Sequence, residues 1–110
     1  MQTQSKDWGY LLLWEFQVRP GFEPQFEAIY GPDGEWANLF QTGEGYIGTE
    51  LAQDAEQPRR YVTLDFWASR ECYETFKRQQ AEQYRLIDEK CEQLTSGEVQ
   101  LGAFERVRSR

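Results

Sequence analysis

The hydrophobic pattern changes its period near the middle of the chain. From Tyr61 to Trp67 every second residue points to one side, with Asp65 among them, while the apolar residues between them point to the other. Beyond Trp67 the spacing becomes helical, and Ser69 supplies an N-cap that is followed by an acidic residue in the first turn. The segment therefore predicts a strand that leads directly into a helix, with Trp67 at the junction.

Other segments repeat these two patterns. Two-residue alternation predicts further strands over residues 10–18, 46–53 and 98–107. Helical spacing predicts a short helix that starts near Phe22, and one more helical turn over residues 35–40. Turns rich in Gly, Pro and Asp separate these elements.

The longest predicted helix follows Ser69, because apolar residues recur three or four apart as far as Leu94. A polar stretch at residues 77–80 indicates a kink, and Thr95-Ser-Gly97 should end the helix. Cys72 and Cys91 both fall within it, about 28 Å apart if the helix is continuous at about 1.5 Å per residue. The two cysteines are therefore not expected to form a disulfide.

The order of these elements, β-α-α-β-β-α-β, predicts an α+β fold of the ferredoxin-like type, with one antiparallel sheet and helices on one face. The first strand carries large apolar residues on both sides, with Trp14 and Phe16 on one and Leu11 and Leu13 on the other. Helices cover only one side of such a sheet, so the second side needs another partner. A homodimer packed sheet against sheet is the expected solution.

Composition and charge narrow the class of protein. The 110 residues predict one domain over residues 1–110, with an ordered core over roughly residues 8–107. Aromatic residues make up 15% of the chain, enough for a compact core and a lined cavity. A net charge of -7 argues against nucleic acid as a partner, and the lack of a long apolar run argues against a membrane. The chain shows no signal-peptide pattern, and a cytoplasmic location is expected.

The sequence contains no histidine. This excludes the usual general base, the Ser-His and Cys-His nucleophile pairs, and haem ligation through histidine. Without a CxxC motif or a tight group of carboxylates, the sequence predicts no metal site and no cofactor.

Several segments in this order resemble the antibiotic biosynthesis monooxygenase domain, of the dimeric α+β barrel superfamily. They are residues 16–26, Trp36, residues 43–51 and residues 61–76, and the likeness extends over roughly residues 10–105. The resemblance implies a dimer in which two sheets form a barrel, with a pocket between sheet and helices in each subunit. Some members oxidise polycyclic aromatic substrates with molecular oxygen and no metal or flavin, some degrade haem, and others have no assigned activity.

Haem degradation is disfavoured, because members with that activity use a helix histidine and a first-strand asparagine. This chain has no histidine, and Glu15 lies in its first strand. The resemblance instead implies a small cofactor-independent monooxygenase acting on an aromatic or quinol-like molecule. A non-catalytic dimer that binds a hydrophobic ligand or a partner is the alternative, and a lyase or isomerase on the same fold is the third.

Asp65 and Trp67 are the candidate catalytic residues. A carboxylate among aromatic side chains has a raised pKa and can act as a base, but an ion pair with Arg59, Arg60 or Arg70 would remove that role. Glu15 has the same two interpretations. Residue types suited to a substrate pocket occur at five positions: Trp36, Asn38, Tyr73, Tyr84 and Arg85. Packing is the competing interpretation for the aromatic residues, Trp67 included, and a cap or a turn is the competing interpretation for Asn38.

Overall fold

The computed structural model describes residues 7–108 and confirms the α+β ferredoxin-like fold. Its elements follow the predicted order. They are β1 (Tyr10–Val18), α1 (Glu23–Tyr30), α2 (Glu35–Phe40), β2 (Tyr46–Gln53), β3 (Arg60–Trp67), α3 (Arg70–Gln79), α4 (Ala81–Cys91), a 3-10 turn (Glu92–Leu94) and β4 (Thr95–Glu105).

The four strands form one antiparallel sheet in the order β2-β3-β1-β4. β3 is therefore a central strand, and its register places Asp65 opposite Leu12 of β1 on one side and Thr49 of β2 on the other. Because directly opposed residues share a face of the sheet, all three side chains point towards the helices.

The core lies between this inner face and the helices, and it is mainly aromatic. Phe26 on α1 stacks on Tyr30 with ring centroids 4.2 Å apart, and Phe40 on α2 packs edge-on against Trp67 at 6.0 Å. Each fully buried side chain of this size contributes about 1.5–3 kcal/mol relative to an exposed one. The aromatic residues thus supply much of the stability of a small domain.

The outer face of the sheet carries apolar side chains, and no helix of residues 7–108 packs on it. Leu13 and Leu64 lie opposite each other there, next to Val62. Val99 and Phe104 on β4 remain 55% and 46% exposed. This is the unpaired apolar face that the first strand's pattern predicted.

The long helix predicted after Ser69 is two helices. Ser69 accepts a hydrogen bond from the Cys72 backbone N–H at 3.1 Å, so α3 begins as predicted. Gln80, within the polar stretch that indicated a kink, has non-helical dihedrals and separates α3 from α4. The helical region is therefore interrupted where the polar stretch indicated a kink, and the distance argument for Cys72 and Cys91, which assumed a continuous helix, lapses. Both thiols are free.

The last strand also differs from the prediction. β4 begins at Thr95, where a helix end was expected, because Thr95 already pairs with Val18. A register shift lies between the Gly102 and Gln100 pairings with β1. This irregularity places Val99 and Phe104 on the same face, whereas simple alternation assigned them to opposite faces.

Candidate functional site

A cavity that opens to solvent on one side lies between the inner face of the sheet and the helices α1, α2 and α4. Its walls are largely aromatic: Trp14, Phe16, Tyr30, Trp36, Phe40 and Tyr84. Trp36 and Tyr84 meet edge to face with ring centroids 4.9 Å apart, which joins α2 to α4 at this wall. The cavity therefore offers flat apolar surfaces of the kind that bind aromatic molecules.

Asp65 brings a carboxylate into this cavity. Its side chain is only 8% exposed, and Oδ1 accepts a hydrogen bond from the Thr49 hydroxyl at 2.7 Å. The Tyr46 hydroxyl lies 2.6 Å from the same Thr49 oxygen. Since Thr49 donates its proton to Asp65, Tyr46 donates to Thr49. The three side chains form a directed hydrogen-bond chain that ends on the carboxylate.

Burial raises the pKa of Asp65 to about 6, and the hydrogen bond from Thr49 offsets part of that increase. The carboxyl group is then mainly ionised at pH 7 but basic enough to accept a proton. Its pKa falls in the range that suits a general base at neutral pH.

No ion pair within residues 7–108 involves Asp65. The Arg60 guanidinium instead binds Glu15 at 2.6 Å and Asp54 at 2.7 Å, and Arg70 binds Glu74. The ion-pair interpretation is therefore wrong for Asp65 and correct for Glu15. Arg60 and Glu15 lie on the outer face, so the sheet itself separates these charges from the cavity.

Two tyrosines of the cavity wall stay protonated at neutral pH. Burial raises the pKa of Tyr84 far above its usual value, and Tyr73 and nearby carboxylates add to the effect. Burial likewise raises the pKa of Tyr30. The Trp36 Nε1 lies near the Tyr30 hydroxyl and the Cys91 thiol without forming a hydrogen bond of good geometry. The phenols can serve as hydrogen-bond donors but not as bases.

Three residues predicted for the site border one cavity: Asp65, Trp36 and Tyr84. Tyr73 lies beside it, because its ring contacts Tyr10 and Trp67 and burial raises its pKa to about 12. The sequence pattern did not indicate Thr49 or Tyr46, because their relation to Asp65 depends on the pairing of β2 with β3. A hydroxyl in a strand was the only signal available.

Trp67 occupies a different place from the one predicted. It is 0% exposed and packs among Phe40, Tyr46, Tyr73 and Phe76, outside the cavity lining. Its aromatic neighbours leave no path for a substrate, so its position fits packing rather than catalysis. Trp67 thereby fixes the end of β3, two residues beyond Asp65.

Asn38 and Arg85 lie on the surface rather than in the cavity. Asn38 is exposed on α2, since Trp36, Ala37 and Phe40 take the buried side of that short helix. Arg85 follows Tyr84 directly, and one residue turns an α-helix by about 100°, so its side chain points away and binds Glu82 and Glu89. Neither side chain lines the cavity.

Two further carboxylates border the cavity on its exposed side, Asp88 on α4 and Glu98 on β4. Burial, followed by the charge of Asp88, raises the pKa of Glu98. In the described part of the chain, no group of three or more Cys, Asp or Glu side chains converges to hold a metal ion. Nor does any helix there have the length and apolar character to cross a membrane.

Solved structures with this fold include a variant of SnoaB, a cofactor-independent oxygenase from Streptomyces nogalater. Its TM-score is 0.70 at 15% identity, covering 91% of this chain and 94% of that chain. A conserved protein from Methanosarcina mazei gives 0.68 at 16% identity, covering 94% and 97%. A protein from Pseudomonas aeruginosa gives 0.65 at 15% identity, covering 92% and 96%. At these identities the likeness shows the shared fold.

Comparison with curated proteins gave no match. The sequence profile of one family, described as antibiotic biosynthesis monooxygenase, matches residues 10–85. That match covers most of the chain, from β1 into α4, and includes Asp65, Trp36 and Tyr84. The chain belongs to the antibiotic biosynthesis monooxygenase family.

Proposed function

We propose that this chain is a cofactor-independent monooxygenase that oxidises an aromatic or quinol-like molecule in the cavity between sheet and helices. The observation that carries the proposal is Asp65, a buried carboxylate without a cationic partner inside an aromatic cavity. A buried group with a shifted pKa in a cleft is a candidate for acid-base chemistry. The fold shared with a cofactor-independent oxygenase supports the same reaction class.

In the proposed reaction the substrate itself supplies the electrons. The Asp65 carboxylate accepts a proton from an activated C–H or O–H of the substrate, and the resulting anion transfers an electron to molecular oxygen. The two radicals combine through a new C–O bond, and the peroxide takes up the proton that Asp65 holds. Loss of water then leaves a carbonyl, so that one CH₂ group and one O₂ yield one C=O and one H₂O.

The surroundings of Asp65 support the two requirements of this reaction, a base and a dry site. Thr49 holds Oδ1 of the carboxylate in place through its 2.7 Å hydrogen bond. Trp36 and Tyr84 provide flat walls that can displace water from a bound ring. The Tyr84 phenol, protonated at neutral pH, lies close to the Tyr73 hydroxyl, and turning from Tyr73 to the substrate would let it donate a hydrogen bond to negative charge on the substrate oxygen.

Oxygen uptake tests the proposal. The protein is incubated with a panel of quinols and anthrones in air and under nitrogen, and oxygen consumption and product are measured. Substrate-dependent uptake above the rate without protein, at one O₂ per product, is expected. The same trace with and without protein across the panel would contradict it. Ligand-induced thermal shifts without turnover would then indicate a binding protein, and turnover under nitrogen would indicate a lyase or isomerase.

We also propose that the chain works as a homodimer that buries the outer face of the sheet. Leu13, Leu64 and Val62 form the centre of that face, and Val99 and Phe104 extend it along β4. A flat apolar face of this kind packs well against a second sheet. Light scattering at micromolar concentration should give twice the 13.0 kDa mass of one chain. A mass of a single chain would overturn the proposal.

A further inference from the structure

Three carboxylates converge on the cavity from different elements. Asp65 points in from β3, Asp88 from α4 and Glu98 from β4. Burial and Tyr73 raise the pKa of Tyr84, and the negative charges of these three carboxylates raise it further. All three carboxylates therefore interact electrostatically with the Tyr84 hydroxyl. Asp65 is buried, whereas Asp88 and Glu98 are exposed and lie where the cavity opens to solvent.

The cavity lining contains no lysine or arginine to balance these charges. Two cations on α4 are paired with carboxylates outside the cavity. Arg85 binds Glu82 and Glu89, and Lys90 binds Glu35 at 2.7 Å. Lys77 lies over the Tyr84 ring, 4.2 Å from its centroid, and over the Tyr73 ring at 5.7 Å. The lining therefore carries three carboxylates and no cation, and Lys77, on the Tyr84 ring, is a cation that lies beside it.

The aromatic walls determine which kind of positive charge fits. Aromatic ring faces attract organic cations, and Lys77 already occupies such a position on Tyr84. A bare metal ion fits poorly, because no three carboxylates in residues 7–108 come close enough to coordinate one. Flat apolar walls combined with separated carboxylates suit a molecule that has a ring and, a few bonds away, an ammonium group.

We infer that the cavity selects an aromatic molecule that carries a protonated amine. Its ring lies against Trp36 and Tyr84, its oxidisable atom faces Asp65, and its ammonium group lies between Asp88 and Glu98. This inference uses the cavity of the proposed function but concerns charge selection alone. It therefore stands or falls on binding, whether or not the protein consumes oxygen.

Three ligands that share one ring and resist oxidation test this selection. They are 2-(1-naphthyl)ethylamine, 2-(1-naphthyl)ethanol and 1-naphthylacetate, which are cationic, neutral and anionic at pH 7.5. Calorimetric titration should show the amine binding about tenfold more tightly than the alcohol and the acetate binding most weakly, since like charge repels and a cation gains both carboxylate and ring contacts. Equal or tighter binding of the alcohol, or no binding of any of the three at millimolar concentration, would overturn the inference.

Variants that remove a carboxylate charge distinguish the effect of the cavity carboxylates on binding from the effect of the net charge of the whole protein. The double variant Asp88→Asn with Glu98→Gln changes two exposed side chains and should reduce the amine-to-alcohol ratio to about twofold or less, because the two nearest charges to the ammonium group are gone. Glu56→Gln, in the exposed hairpin between β2 and β3, is the matched control and should keep the ratio. An unchanged ratio in the double variant would show that the selection does not arise at Asp88 and Glu98. Oxygen uptake is recorded separately, so its absence leaves this result intact.

Discussion

On the outer face of the sheet, Glu15 carries its charge beside the Arg60 guanidinium, 2.6 Å away. On the inner face, Asp65 carries its charge with only the Thr49 hydroxyl as a partner. The two carboxylates lie on paired central strands, and each is close to aromatic residues in sequence. One is an ordinary partly exposed ion pair, while the other is a buried group that the fold leaves without a counter-charge.

The difference matters because the two arrangements have opposite effects on stability. A partly exposed ion pair stabilises a protein by about 0–1 kcal/mol. A carboxyl group whose pKa rises from 3.8 to about 6 on folding destabilises the ionised native state by about 3 kcal/mol. Retaining such a group is consistent with a chemical role, since active sites commonly contain groups that stability alone would not favour.

The largest expected effect is on turnover. Asp65→Asn keeps the shape and the hydrogen bond from Thr49 but removes the base, so oxygen uptake should fall about 100-fold or more. Glu15→Gln is the matched control on the outer face and should retain most of the activity. Initial rates of oxygen consumption with the best quinol or anthrone provide the measurement. Comparable losses in both variants would remove the distinction between the two faces.

The same substitution should stabilise the fold in a limited pH range. Because the native pKa of Asp65 lies above its unfolded value, the ionised carboxylate destabilises the protein fully above about pH 7 and not at all below about pH 3. Asp65→Asn should therefore raise the free energy of unfolding by at most about 3 kcal/mol at pH 8 and leave it nearly unchanged at pH 3. Urea titrations at both pH values measure the change.

Glu15→Gln should instead lower that free energy by about 1 kcal/mol or less. If Asp65→Asn is destabilising at pH 8, then the charge of Asp65 is stabilised by a partner in the native state, as the charge of Glu15 is by Arg60.

A smaller effect is expected from the hydroxyl that holds Asp65. The hydrogen bond from Thr49 lowers the pKa of Asp65, so Thr49→Val should move the acidic limb of the pH–rate profile upwards by about half a unit to one unit. Thr63→Val is the matched control, because Thr63 borders the same cavity but makes no hydrogen bond to Asp65. A limb that moves equally in both variants would point to packing rather than to the hydrogen bond.

The sequence predicted the fold well because strand and helix periods are local properties. The alternation through Tyr61–Trp67 and the N-cap at Ser69 are both found where the pattern indicated them. The polar stretch at residues 77–80 indicated the break at Gln80, but alternation alone missed the irregularity near Leu101, where the pairing of β4 with β1 shifts register.

The candidate site was predicted less completely. Asp65 faces the cavity because alternate residues of β3 point to the same side of the sheet, and the sequence shows this alternation directly. Its partner Thr49 depends on the register between β2 and β3, and the absence of an arginine partner depends on which face Arg60 takes. Such pairings between distant segments are not visible in a single sequence. Arg85 shows the converse error, because a suitable residue type next to Tyr84 lies on the wrong side of α4.

The most direct test of the central claim is the titration of Asp65 itself. Protein labelled with ¹³C at the aspartate carboxyl carbon is followed by NMR from pH 3 to pH 9, and Asp65→Asn identifies the resonance. We expect a midpoint near 6, as befits a buried carboxyl without a cationic partner. A midpoint at or below the ordinary value of 3.8 would contradict this account. In that case Asp65 would have a charge partner, as Glu15 does.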